Sequence, residues 1–158
     1  MQEIGGYFGL ERFSGKEYHE GLFAVNNGRS ALECLLKARA VKKVHLPFFL
    51  CESVSGMCRR VGFDYSSYHI GADFLPIFPD SLADGEWLYI VNYYGILNND
   101  RLRELKARWR RIIVDNVQAF FQKPIPGIDT LYSCRKFFGV PDGGYVATDS
   151  VLVERLPI

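Results

Sequence analysis

Two short, almost wholly apolar runs flank a segment with helical period, and this restricts the fold more than any other feature of the chain. "EWLYIVNYYG" (86–95) and "RIIVDN" (111–116) begin as runs too short for a helix and carry few polar residues. Strands of this type are covered on both faces of a sheet. Between them, "RLRELKARWRR" (101–111) sets Leu102, Leu105 and Trp109 on one side at helical spacing, with Asp100 placed to cap it. Strand, helix, strand in this order is the unit from which parallel sheets are built.

The alternation extends in both directions. "NNGRSALECLLKARA" (26–40) spaces Leu32, Leu35 and Leu36 as a helix, entered through Asn26, Asn27 and Gly28 and carrying Lys37 and Arg39 at its C-terminal end. "KKVHLPFFL" (42–50) predicts a strand closed by Pro47, "ESVSGMCRRV" (52–61) a helix, and "FDYSSYHI" (63–70) another strand. The Pro- and Asp-containing stretch 73–84 predicts a loop. "TLYSCR" (130–135) and "GGYVATD" (143–149) complete a set of about six strands, with no internal repeat or low-complexity linker. The expectation is one α/β domain over residues 1–158 with a mostly parallel sheet. Ligands bind such sheets at the carboxyl ends of their strands, where Gly28–Ser30, Cys51 and Glu52, Asn92, Asp115 and Gln118, and Ser133–Lys136 would converge.

Composition removes several classes. The 158 residues are 48% apolar and 23% charged, enough for a dense core, and a net charge of +1 gives no general attraction to nucleic acid or an anionic membrane. The helix 101–111 carries six cations against one glutamate, but its leucine and tryptophan face has to pack, which makes it an outer helix and not a nucleic-acid binder. No apolar run reaches the roughly 18 residues of a membrane span, and the N-terminus lacks the pattern of a secretory signal. Cys34, Cys51, Cys58 and Cys134 form no CxxC pair and no zinc-type spacing with His19, His45 or His69. No metal site is expected; reduced, mostly buried thiols in the cytoplasm are.

Three segments carry chemistry. In "NGRSAL", Gly28, Arg29 and Ser30 open a helix whose first N–H groups and positive dipole end suit a phosphate; a simple cap is the other reading. In "VDNVQAFF", Asp115 ends an apolar strand, where a carboxylate needs a partner: a metal, an arginine or a protonated ring nitrogen, unless it only caps the next helix. Gln118 can reach the same volume. In "YSCRKFF", Ser133 and Lys136 are spaced to embrace one small ligand; with Phe137 and Phe138 next to it, Lys136 either snorkels out to water or is sheltered by the rings, which disfavours the charged amine. A serine–lysine hydrolase would use its serine in a helical setting, and here the serine leaves a strand. Together, a phosphate seat, a strand-end carboxylate and a late lysine meet the needs of pyridoxal 5′-phosphate.

These segments resemble the DegT/StrS sugar aminotransferases, fold-type I pyridoxal-phosphate enzymes. The likeness runs from about residue 28 to 149 through "NGRSAL", "LPFFLCESV", "VNYYGI", "VDNVQAFF" and "SCRKFFGVPDGGYVATD". It implies a three-layer sandwich like the large domain of those enzymes. It also implies Lys136 as the lysine of an internal aldimine, Asp115 against the pyridine nitrogen and Gln118 near the ring's 3-hydroxyl. Gly28, Arg29, Ser30 and Ser133 would lie around the phosphate. Cys51 falls where relatives place a ring-stacking aromatic, a role a thiol cannot fill and Phe49 could. The serine precedes the lysine by three residues where typical relatives have five, a spacing similar to that of other fold-type I aminotransferases. Relatives are about twice as long, so the chain is expected to be a cofactor-binding core without the C-terminal small domain. The implied substrates are an amino donor and a keto sugar nucleotide, as in polysaccharide biosynthesis, and the implied assembly is a homodimer, with Tyr7, Phe8 and Phe13 as candidate subunit contacts. A truncated or non-catalytic homologue that holds the cofactor or a partner is the alternative.

Overall fold

The computed structural model describes residues 14–152; the N-terminal aromatics Tyr7, Phe8 and Phe13 lie outside the described residues. Eight strands form one sheet in the order β1-β8-β7-β6-β5-β2-β3-β4. The elements in chain order are β1 (Phe23–Val25), α1 (Gly28–Ala38), β2 (Lys43–Pro47), α2 (Glu52–Val61), β3 (Asp64–Ile70), β4 (Pro76–Ile77), β5 (Glu86–Val91), α3 (Asn99–Trp109), β6 (Ile112–Asp115), β7 (Asp129–Ser133) and β8 (Gly144–Ala147). The central strands β7, β6, β5, β2 and β3 run parallel. Antiparallel strands close both sides: β8 and β1 beyond β7, and β4 beyond β3.

Period-two alternation divides the apolar runs between two cores. Trp87, Tyr89, Val91, Ile113 and Leu131 face α1 and α2, where they meet Leu32, Leu35, Leu36 and Met57. Leu88, Ile90, Ile112 and Val114 face the other way onto Leu102, Leu105 and Trp109 of α3. The result is three layers, and the basic helix packs through the stripe its sequence predicts. Four of the six cations of 101–111 are met nearby: Arg103 pairs with Asp100, Arg101 with Glu104 and Arg108 with Asp80, while Arg111 donates to the carbonyls of Leu82, Ala83 and Glu86.

The structure departs from the sequence expectations at element ends. The helix cap is Asn98, whose side chain accepts from the Arg101 amide; Asp100 instead lies in the first turn, where its charge suits the dipole. The strand beginning at Glu86 stops at Val91, and Tyr93–Gly95 form a 3₁₀ turn. Two short antiparallel strands were not expected: β4 falls inside the 73–84 stretch read as loop, and β1 precedes the first element read from the sequence. All four cysteines are free, with Cys34 and Cys58 buried and Cys51 exposed. Among the described residues no helix is long and apolar enough to cross a membrane, and no cluster of three metal-ligating side chains occurs.

Candidate active site

The chain leaves β2 toward β3 on one side and later places β5 against β2 on the other. That reversal opens a crevice at the carboxyl ends of the parallel strands. A cleft of about 940 Å³ lies there. Its walls come from the start of α1 (Gly28, Arg29), the turn after β2 (Phe48 to Cys51), the turn after β5 (Tyr93, Tyr94), the end of β6 (Asp115) with Gln118, and the end of β7 (Ser133) with Arg135 and Lys136.

Asp115 is 3% exposed. Its Oδ2 accepts the Tyr89 hydroxyl at 2.5 Å and its Oδ1 accepts the Val117 amide at 2.8 Å. Burial pushes this carboxyl above its ordinary value, opposed by those two donors and by the positive charge of Lys136. Among the described residues it makes no ion pair. The register explains its neighbour: Val91 lies opposite Asp115, so Tyr89, two residues earlier in β5, is on the same face and diagonal to it.

Lys136 ends a 3₁₀ turn, Cys134–Lys136, and is exposed. Of the two readings of Lys136, the solvent-facing one is found. Phe137 and Phe138 turn away and pack edge-on and tilted against Phe120 and Phe121, with ring centroids 5.0–6.1 Å apart. The lysine is therefore open to the cleft and to water.

At the start of α1, Asn27 Oδ1 accepts from the amides of Arg29 and Ser30 at 3.0 and 3.1 Å. The helix entry is thus already capped, and a phosphate would have to displace that side chain from the same donors. The Ser30 hydroxyl points back to Asn26 Oδ1 at 2.6 Å, away from the cleft lining. Gly28 permits close approach: a Cβ there would lie 3.3 Å from Val117 Cγ1 and 3.7 Å from the Ser133 Cβ. Gln118 lines the cleft with its Oε1 held by the Tyr94 amide at 3.1 Å. The Cys51 thiol is held below its ordinary value by Ser53, helped by Lys136 and Arg29. Phe49 lines the same wall, its ring stacked on Tyr93 at 5.4 Å.

Two expected members are elsewhere. Asn92 is fully buried and ties the 92–97 turn, accepting the Leu97 amide and donating to Gln122 and Asn116. Glu52 faces solvent and pairs with Arg59. Sequence reasoning missed Tyr89 and Tyr93. The first reads as core filler in "LYIV", and only the β5–β6 register reveals it. Burial and the Asp115 charge push the Tyr93 phenol up to about 12.

No family model and no curated protein matches the chain. Solved structures do. DesV of S. venezuelae, in complex with a ketimine intermediate, superposes with a TM-score of 0.63 at 21% identity, over 83% of this chain and 41% of that one. A DegT DnrJ EryC1 StrS aminotransferase from Brucella abortus gives 0.60 at 19%, over 82% and 42%. NtdA from Bacillus subtilis, with bound PMP, gives 0.64 at 17%, over 87% and 38%. The chain has the fold of these aminotransferases. It spans about 40% of their length, and over that span the three-layer architecture expected from the sequence is met.

Proposed function

We propose that this chain binds pyridoxal 5′-phosphate in the cleft and serves amino-group transfer to a keto sugar carried on a nucleotide. The observation that carries the reading is Asp115, a buried carboxylate with two hydrogen-bond donors, no ion pair among the described residues, and a lysine across the same cleft. A protonated heteroaromatic nitrogen is the partner such a group lacks. Gly28 supports the same fit, because without a side chain it leaves the α1 entry close against Val117 at the cleft wall.

Bound there, pyridoxal phosphate supplies an electron sink for the bond broken at the amino-bearing carbon of the substrate. Asp115 holds the proton on the ring nitrogen. Lys136 would hold the cofactor and would serve as the base that moves the proton at the reacting carbon. Gly28, Arg29, Ser30 and Ser133 seat the phosphate, with the Arg29 and Ser30 amides exchanging the Asn27 cap for phosphate oxygens. Gln118 would be the neighbour of the ring's hydroxyl. Phe49 takes the stacking wall that Cys51 cannot form. Exposed Tyr94, Phe121 and Phe137 supply an apolar surface for a homodimer, and four free thiols fit the cytoplasm.

The test is reconstitution with pyridoxal phosphate, borohydride reduction and mass analysis of the peptide holding residue 136. A reduced cofactor adduct on Lys136, absent from Lys136→Ala, is the expected result; an unmodified wild-type peptide sinks the reading. Cys51 at the stacking wall favours a second reading, a homologue that holds the cofactor without turnover. Adduct formation with no half-reaction from any amino donor would establish it.

A further inference from the structure

The Tyr89 phenol lines the floor of the candidate site and is tied there to Asp115. Its ring is 2% exposed, between the sheet and α2, and its hydroxyl reaches Asp115 Oδ2 at 2.5 Å. The backbone carbonyl of the same residue accepts the Tyr68 hydroxyl at 2.7 Å, which anchors β5 from the opposite face of the sheet. Asp115 Oδ1 is held separately by the Val117 amide. Each carboxylate oxygen thus has one fixed donor and keeps lone-pair capacity for a further one.

We infer that Tyr89 is the positioning residue of Asp115: its donated hydrogen fixes the rotation of the carboxylate at the cleft floor and keeps it an anion there. The inference rests on the proposed cofactor reading, since an anion is what a protonated ring nitrogen needs. The physical case is the asymmetry of buried acids. With no cation hydrogen-bonded to it, a carboxylate inside protein stays ionised only as far as neutral donors stabilise it. Two donors do so here, and the phenol is the one supplied by a side chain. The groups around the pair are Cys58 of α2, Tyr68 of β3, Tyr93 and Lys136. Burial holds Cys58 and all three tyrosines above their ordinary values, so near neutral pH they stay uncharged while the carboxyl titrates.

The experiment is a carbon-13 NMR titration of aspartate carboxyls in the cofactor-free chain, with the Asp115 signal assigned through Asp115→Asn. Tyr89→Phe removes one oxygen and should raise the Asp115 midpoint by about one pH unit or more, a tenfold gain in proton affinity. Ring-fluorinated tyrosine at position 89, a more acidic donor, should lower it, and this variant decides the matter if the phenylalanine variant does not fold. An Asp115 midpoint unmoved by either change overturns the inference, because loss of packing alone does not produce opposite shifts. In protein loaded with pyridoxal phosphate, the visible band of Tyr89→Phe should change with pH over a range where the wild-type band is constant. If the carboxyl shifts are found but no cofactor is reduced onto Lys136, the hold of Tyr89 on Asp115 stands and the cofactor reading falls. If the cofactor is trapped and the carboxyl midpoint stays fixed, the role of Tyr89 falls alone.

Discussion

Asp115 is a carboxyl whose charge the fold disfavours. Its folded-state midpoint lies above the ordinary carboxylate value because burial outweighs the Tyr89 and Val117 hydrogen bonds. A raised folded value means the native state binds the proton more tightly than the unfolded chain. Stability is therefore greatest at low pH, on this group's account, and declines as pH rises from the unfolded value of about 3.9 through the folded one, by about 1.4 kcal/mol per unit of separation. Asp115→Asn keeps the shape and removes the charge. Urea unfolding should show the variant close to wild type near pH 4 and more stable near pH 8. Equal differences at the two pH values would show that the folded and unfolded midpoints coincide, so that burial does not raise the Asp115 carboxyl. Among the site residues, Asp115, Gln118, Ser133 and Lys136 were legible because each follows a readable strand. The state of Lys136 was not, since nothing in "RKFF" tells whether the rings fold over the amine or turn toward Phe120 and Phe121.

Helix α1 and strand β7 carry the site between them, and their far ends are locked by one ion pair. Arg39, the C-terminal cap of α1, meets Asp129, the first residue of β7, through two hydrogen bonds of 2.7 Å. It also reaches Asp149, and the Thr148 hydroxyl donates to Asp129 at 2.6 Å. Asp129 is 2% exposed. Arg39→Ala leaves that carboxylate with a single hydroxyl donor and should cost about 3–5 kcal/mol in chemical denaturation, whereas Arg39→Met combined with Asp129→Leu should recover most of the loss. A double variant no better than the single would mean that the pair contributes through packing, including Arg39 over the Trp87 ring. The elements themselves were legible wherever a helical stripe or an apolar run was long enough to show its period, as in α1, α3, β5 and β6. Strands β1 and β4 were not. Three and two residues show no period, and each becomes a strand only by pairing with a partner, β8 or β3, supplied by the rest of the fold. The α3 cap was misplaced because "NND" offers several capping side chains in succession, and the choice among them depends on backbone geometry at Asn98.

At the scale of the molecule, the cleft exists because distant segments are clamped at one edge of the sheet. The Gly143 amide donates to the Asn26 carbonyl at 2.7 Å, so the entry to α1 is held by the start of β8. Gly144 makes that approach possible: a Cβ there would stand 2.7 Å from the Tyr132 carbonyl oxygen and 3.1 Å from the Asn27 carbonyl carbon, both backbone atoms with no rotamer to yield. Asn27 in turn carries the oxygen that holds the Arg29 and Ser30 amides. Gly144→Ala should therefore push the α1 entry off the sheet and spoil the proposed phosphate seat, while Lys136, on the segment after β7, keeps its place. The expected outcome is selective. Capture of pyridoxal phosphate should weaken by about tenfold, ~1.4 kcal/mol, while pyridoxal, which lacks the phosphate, should react with the wild type and the variant alike. Inorganic phosphate should slow the capture of pyridoxal phosphate by wild type and have little effect on the variant. Absorbance titration with both aldehydes measures each arm. Equal losses for the two ligands would mean that the glycine supports the lysine segment or the fold at large, and would remove the α1 entry from the list of phosphate contacts.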